Sequence, residues 1–132
     1  MGDFPKVGEY MTRVPKSIGF DQSIAKAQEV MRELRIRHLP VLKGGKLVGV
    51  LTDRDINLVL TFKDVNPETL CVDEAFTPDP YFATPDTLLK EVANRMAEGK
   101  FGCSIVLDHN KLVGIFTEID AYRALAGCLK ED

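Results

Sequence analysis

Lys46-Leu47-Val48-Gly49-Val50-Leu51-Thr52 returns 65 residues later as Lys111-Leu112-Val113-Gly114-Ile115-Phe116-Thr117. Sliding the chain along itself by that offset needs no gap. Val7 falls on Val72, Glu9 on Glu74, Thr12 on Thr77, Pro15 on Pro80, Asp21 on Asp86, Met31 on Met96 and Asp55 on Asp120. From Val7 to Leu60 roughly three in ten aligned positions are identical, and many others exchange one apolar residue for another, which is the mark of a duplication. The copies divide the chain into residues 1–65 and 66–132. A unit of that size buries too little surface to be comfortable alone, and two units packed together solve the problem.

Outward from the repeated run, local signals agree in both copies. His38–Lys43 and Lys46–Leu51 are short apolar runs joined through Gly44-Gly45, a two-residue hairpin signal, and Asp108-His109-Asn110 takes the turn in the second copy. Upstream, Asp21-Gln22-Ser23 supplies an N-cap, and Ile24, Ala27, Met31 and Leu34 follow at helical spacing. The second copy reads Asp86-Thr87, then Leu89, Val92 and Met96, with Gly99 expected as the C-cap. Before each helix lies a short extended segment, Thr12 to Ile18 in the first copy, where Pro15 and β-branched residues disfavour helix. A second helix is predicted over about residues 52–60 and 117–126, and residues 61–70 read as the connector. Each copy is thus β-α-β-β-α, and the fold class is α+β.

Composition narrows the function classes. The chain has 132 residues, 45% of them apolar and 28% charged, with a net charge of −3. So much apolar content argues against wholesale disorder, and the charge disfavours a general nucleic-acid binder. The longest apolar runs are far too short to span a bilayer, so no membrane partner is expected. Met1-Gly2-Asp3-Phe4-Pro5-Lys6 has no apolar stretch of the signal-peptide kind, so no secretion signal is expected either. Cys71, Cys103 and Cys128 are odd in number and widely spaced, which disfavours a disulfide scaffold or a zinc site and points to a reducing cytoplasm. The net charge hides an asymmetry. Residues 1–65 carry 11 basic and 8 acidic side chains, and residues 66–132 carry 6 and 12.

The chemistry-bearing motif is Thr52-Asp53-Arg54-Asp55, repeated as Thr117-Glu118-Ile119-Asp120. One reading is a capping box, with the Thr hydroxyl accepting from the third helical amide while the carboxylate reaches back. The other uses the same geometry for a ligand. A Thr hydroxyl bonds a phosphate or sugar oxygen, and an ionised carboxylate, an acceptor only, suits the two hydroxyls of a ribose. A ligand can borrow a cap, so the two readings coexist. No Ser-His-Asp arrangement, metal-ligand spacing or Walker-type loop is present, so no catalytic residue and no required cofactor are expected.

The ordered set Tyr10-Met11-Thr12, Asp21-x-Ser23-Ile24, Ile36-Arg37-His38-Leu39-Pro40-Val41, Phe76-Thr77 and Pro85-Asp86-Thr87-Leu88, with the two Gly-x-x-Thr-x-x-Asp segments, resembles a tandem pair of CBS (cystathionine-β-synthase) domains over about residues 7–125. The resemblance implies two repeats packed about a pseudo-twofold axis, with clefts drawing on both that bind AMP, ADP, ATP, S-adenosylmethionine or NAD. It assigns Asp55 and Asp120 to ribose hydroxyls, and Thr52 and Thr117 to ribose or phosphate. It assigns the adenine pocket to the backbone of Val14-Pro15-Lys16 and Asp79-Pro80-Tyr81. It also implies a homodimer, for which Leu58, Leu60, Leu125 and Leu129 are candidates, the alternative being that they fill the core.

The two clefts need not be equal. Arg35, Arg37 and His38 open the strand in the first copy and suit phosphate, whereas the second copy has Gly102 and Cys103 there, which bring no charge. The function expected is a regulatory, energy-sensing module that binds adenosine nucleotides and acts on a regulated protein, not an enzyme. The alternative is a structural protein-interaction module with degenerate clefts. RNA or DNA binding would need Arg32, Arg35, Arg37 and Lys43 to form one patch.

Overall fold

The computed structural model describes residues 4–13, 16–62 and 64–129. In chain order its elements are β1 (Thr12–Arg13), β2 (Ile18–Gly19), α1 (Ile24–Leu34), β3 (His38–Lys43), β4 (Lys46–Thr52) and α2 (Asp53–Val59), then β5 (Thr77–Pro78), β6 (Phe82–Ala83), α3 (Leu89–Gly99), β7 (Cys103–Asp108), β8 (Lys111–Thr117) and α4 (Glu118–Cys128). Among the described residues the architecture is α+β, with four α-helices, short 3-10 turns at Val7–Glu9 and Val72–Glu74, and two four-stranded sheets ordered β2-β3-β4-β5 and β1-β8-β7-β6. Among the described residues no helix is long and apolar enough to cross a membrane.

Both expected hairpins form. Gly44 and Gly45 turn between β3 and β4 with φ of 58° and 81°, and His109 and Asn110 do the same between β7 and β8 with φ of 52° and 66°. The paired positive φ values match the right-handed twist of the flanking strands. Ser23 caps α1 by accepting from the Lys26 amide at 3.0 Å. Three local expectations are corrected. Leu34 ends α1 half exposed, and the buried face of that helix is Ile24, Ala27, Val30 and Met31. α3 has no side-chain cap from Asp86-Thr87, because the Thr87 hydroxyl accepts from the Thr84 amide and the Leu89 amide donates to the Pro5 carbonyl instead. Gly99 is the last helical residue of α3, and Lys100 takes the left-handed position after it. Gly99 lies under the Phe101 ring, which a Cβ there would displace.

The extended segment of each copy splits into two short strands that join different sheets. β2 pairs in parallel with β3 of its own copy, but β1 pairs antiparallel with β8, Thr12 opposite Ile115. The second copy does the same, with β6 on β7 and β5 on β4, Thr77 opposite Val50. The chain therefore divides into a unit of Lys16–Pro80 and a unit made of the residues before Lys16 with those from Tyr81 on, whereas the sequence copies divide at residue 65. The physical reason is a backbone anchor just ahead of each exchanged strand. Val72 N–H donates to Gln22 O and Val7 N–H to Thr87 O, both at 2.8 Å, and both valines are fully buried.

Each unit has its own core. One gathers Ile18, Ile24, Ala27, Met31, Leu39, Val41, Leu51, Ile56 and Val72. The other gathers Val7, Ala83, Val92, Met96, Val106 and Phe116. Leu60 packs against the first core, while Leu58, Leu125 and Leu129 are exposed.

Candidate functional site

β4 and β8 each end in a threonine that starts the following helix. Thr52 is the N-cap of α2, where its Oγ1 accepts from the Asp55 amide and its own amide donates to Asp55 Oδ2, both at 3.0 Å. Thr117 caps α4 alike. Its amide donates to Asp120 Oδ2 at 3.0 Å, and the Asp120 amide donates to Thr117 Oγ1 at 3.4 Å. The capping box foreseen in the sequence is therefore formed twice. The carboxylates also complement the positive end of each helix dipole.

Each carboxylate has a further partner from the exchanged strand. Thr77 Oγ1 donates to both oxygens of Asp55 at 3.3 Å. Thr12 Oγ1 donates to Asp120 Oδ1 at 3.2 Å and to Oδ2 at 3.3 Å. Asp120 is only 6% exposed, and Asp55 is half-buried. Sequence reasoning gave Thr12 and Thr77 no role, although their match across the 65-residue offset was already visible. Gly49 and Gly114 were also missed as geometric requirements. A Cβ on Gly49 would strike Thr77 O and the Phe76 ring, and one on Gly114 would meet Met11 and, at 2.9 Å, Thr12 O. These glycines let β5 and β1 approach closely enough to present their hydroxyls.

The unit of Lys16–Pro80 brings Arg37 and His38 to the Thr52–Asp55 cap. His38 stands opposite Thr52 in the β3–β4 register, and the Arg37 carbonyl accepts from the first helical amide, Asp53 N–H, at 3.0 Å. In the other unit the same places are taken by Cys103 opposite Thr117 and by the Gly102 carbonyl accepting from Glu118 N–H at 3.3 Å. Lys16 is exposed ahead of β2. Asp79 turns the chain with a φ of 52°, and the antiparallel run of β5 on β4 leads Asp79 and Pro80 away from Thr52. Val14 and Pro15 lie outside the described residues.

Tyr81 packs. Its ring stacks on Phe101 with centroids 5.8 Å apart, the Arg95 guanidinium lies 5.2 Å from its centroid, and burial together with Glu91 raises its pKa against the opposing pull of Arg95. A cleft of about 370 Å³ in the same unit, lined by Lys6, Glu9, Arg13 and Asp86 among others, includes neither Thr117 nor Asp120. Among the described residues no group of three or more His, Cys, Asp or Glu is placed to hold a metal.

Known proteins share this fold. The family model of the CBS domain matches residues 7–61 and 72–127. The CBS domain-containing protein YhcV of Bacillus subtilis is 30% identical over 109 residues, 83% of this chain and 77% of that one. The solved CBS domain pair of protein MJ0100, in complex with 5′-methylthioadenosine and S-adenosyl-L-methionine, is similar with a TM-score of 0.86 at 26% identity, covering 96% of this chain and 99% of that one. CBSX2 in complex with AMP is similar with a TM-score of 0.79 at 27% identity, covering 96% and 99%. The chain spans 14% of the length of two Arabidopsis thaliana relatives, the CBS domain-containing proteins CBSCBSPB3 and CBSCBSPB2.

Proposed function

The chain belongs to the CBS-domain family, and from that membership we propose that it is a regulatory module binding an adenosine-containing ligand at its two Thr-x-x-Asp caps. The observation that carries the proposal is the duplicated cap itself, a threonine hydroxyl and an anchored carboxylate at the end of a buried strand, in both units. The ligands named for the two solved relatives are AMP, 5′-methylthioadenosine and S-adenosyl-L-methionine, which share an adenosine with its vicinal ribose diol. In this reading Asp55 and Asp120 accept from that diol, and Thr52 and Thr117 meet ribose or phosphate. Backbone around Val14-Pro15-Lys16 and Asp79-Pro80-Tyr81 receives the adenine.

The two caps differ in charge. Arg37 and His38 beside Thr52 favour AMP, ADP or ATP there, while Gly102 and Cys103 beside Thr117 favour a ligand with little phosphate. The module catalyses nothing and signals by binding one arrangement of the protein better than another, in the cytoplasm, to a regulated protein. Ile119, Tyr122, Leu125 and Leu129, exposed at helical spacing along α4 and just beyond it, suit the interface of a homodimer, whose mass sedimentation would read. A second reading is favoured by one observation, that both carboxylates are already engaged in caps. It makes the chain a structural interaction module with degenerate clefts.

Titration calorimetry of nucleotide-stripped protein with AMP, ATP, S-adenosylmethionine and NAD separates the two. Ligand binding predicts heat with at least one of them. It also predicts that Asp55→Ala and Asp120→Ala lose binding at their own sites besides about 1 kcal/mol of stability through the cap. Arg37→Ala weakens ATP more than adenosine. Absence of heat and of any thermal shift with all four establishes the structural reading instead.

A further inference from the structure

Asp55 and Asp120 receive a second kind of donor that the capping box does not require. A carboxylate offers about four lone-pair sites. On Asp120, Oδ2 takes the Thr117 amide and the Thr117 hydroxyl at 3.3 Å, and Thr12 Oγ1 bridges the two oxygens. On Asp55, Oδ2 takes the Thr52 amide, and Thr77 Oγ1 bridges in the same way. A hydroxyl spanning both oxygens occupies the edge on which a vicinal diol would place its two hydrogen bonds. Asp120, 6% exposed, has little other surface to offer. The bridging distances of 3.2 and 3.3 Å are also long for O–H···O bonds, which centre near about 2.7–2.8 Å. Such bonds are weak enough to exchange for shorter ones.

Resting on the adenosine-binding reading, we propose that Thr12 and Thr77 stand in for the ribose diol on Asp120 and Asp55 until it binds. The capping amides, Thr52 N–H and Thr117 N–H, keep each carboxylate oriented, and Thr77 and Thr12 surrender their hydrogen bonds when the ribose hydroxyls arrive. Selectivity for a ligand with a free diol then carries a built-in competition with the protein's own hydroxyl. Because Thr12 and Thr77 lie on the two-residue strands β1 and β5, every binding event also removes one tether of an exchanged strand.

The test compares wild type, Thr12→Val/Thr77→Val and Thr12→Ser/Thr77→Ser for binding AMP and 2′,3′-dideoxy-AMP by calorimetry. Valine keeps the shape and suits an exposed strand, and serine keeps the hydroxyl. The valine protein should bind AMP about fivefold more tightly, the worth of one modest hydrogen bond, with dideoxy-AMP unchanged and the serine protein close to wild type. A purely structural role would weaken both ligands together. Equal changes for the two ligands, or unaltered or weaker AMP binding, overturn the proposal. Wild type that binds neither ligand overturns the adenosine-binding reading, and this proposal with it. Should the valine protein fail to fold, the γ-methyl resonances of Thr12 and Thr77 in wild type give the answer. AMP should shift them and dideoxy-AMP should not, and equal shifts overturn the proposal.

Discussion

Cys103 faces Thr117 across the β7–β8 ladder, in the place His38 holds opposite Thr52. Burial, reinforced by the negative charge of Glu118, pushes its thiol up to about 12. An unfolded cysteine titrates near about 8.5, so the folded thiol holds its proton more tightly. Its contribution to stability is therefore fully present below that pH and is lost as the pH rises through about 12. At pH 8 a disulfide reagent should label exposed Cys128 at once and reach Cys103 only in denaturant, and Cys103→Ala should flatten the alkaline fall in stability measured by urea unfolding. Rapid labelling of Cys103 in folded protein would contradict its burial. The same residue explains a limit of sequence reading. Its type is visible in the chain, but its inertness comes from the strands around it. Asp55 and Asp120 were legible because a cap spans three residues, whereas the Thr77 and Thr12 hydroxyls reach them from 22 and 108 positions away.

Among elements, the hairpins and helices follow from neighbours in sequence, and the strand exchange does not. Gly44-Gly45 and His109-Asn110 dictate their turns locally, and Ser23 announces α1. By contrast, β1 and β5 are two residues each, too short for any periodicity to declare, and their partners are remote. What holds them is space above a glycine. Gly114→Ala should cost about 1–3 kcal/mol, because its Cβ meets the Thr12 carbonyl and the Met11 side chain and β1 must lift away. Gly49→Ala should act likewise through Thr77 and Phe76. Gly127 in α4 has no atom within 4 Å of its would-be Cβ, so Gly127→Ala should instead stabilise by about 0.5–1 kcal/mol. Thermal unfolding of the three variants checks the contrast, and a neutral Gly114→Ala would mean that β1 does not depend on that close approach.

At the scale of the molecule, the duplication and the folding units are cut at different points. The copies meet near residue 65, the two units near residues 15 and 80, and the difference is the exchanged segment. A chain of residues 1–65 would carry α1, the β3–β4 hairpin and α2, but would lack Val72 to seal that core and β5 to pair with β4. It would also carry Val7, whose burial depends on residues from Tyr81 on. A chain of residues 16–80 holds β2, β3, β4 and β5, the complete core and the Thr77–Asp55 contact within one continuous stretch. Its size keeps it marginal. Nonetheless it should unfold cooperatively by circular dichroism and give dispersed amide resonances, while 1–65, of equal length and greater overlap with the repeat, should not. If 1–65 folded and 16–80 did not, the β4–β5 pairing and the burial of Val72 would be incidental, and the repeat itself would be the folding unit.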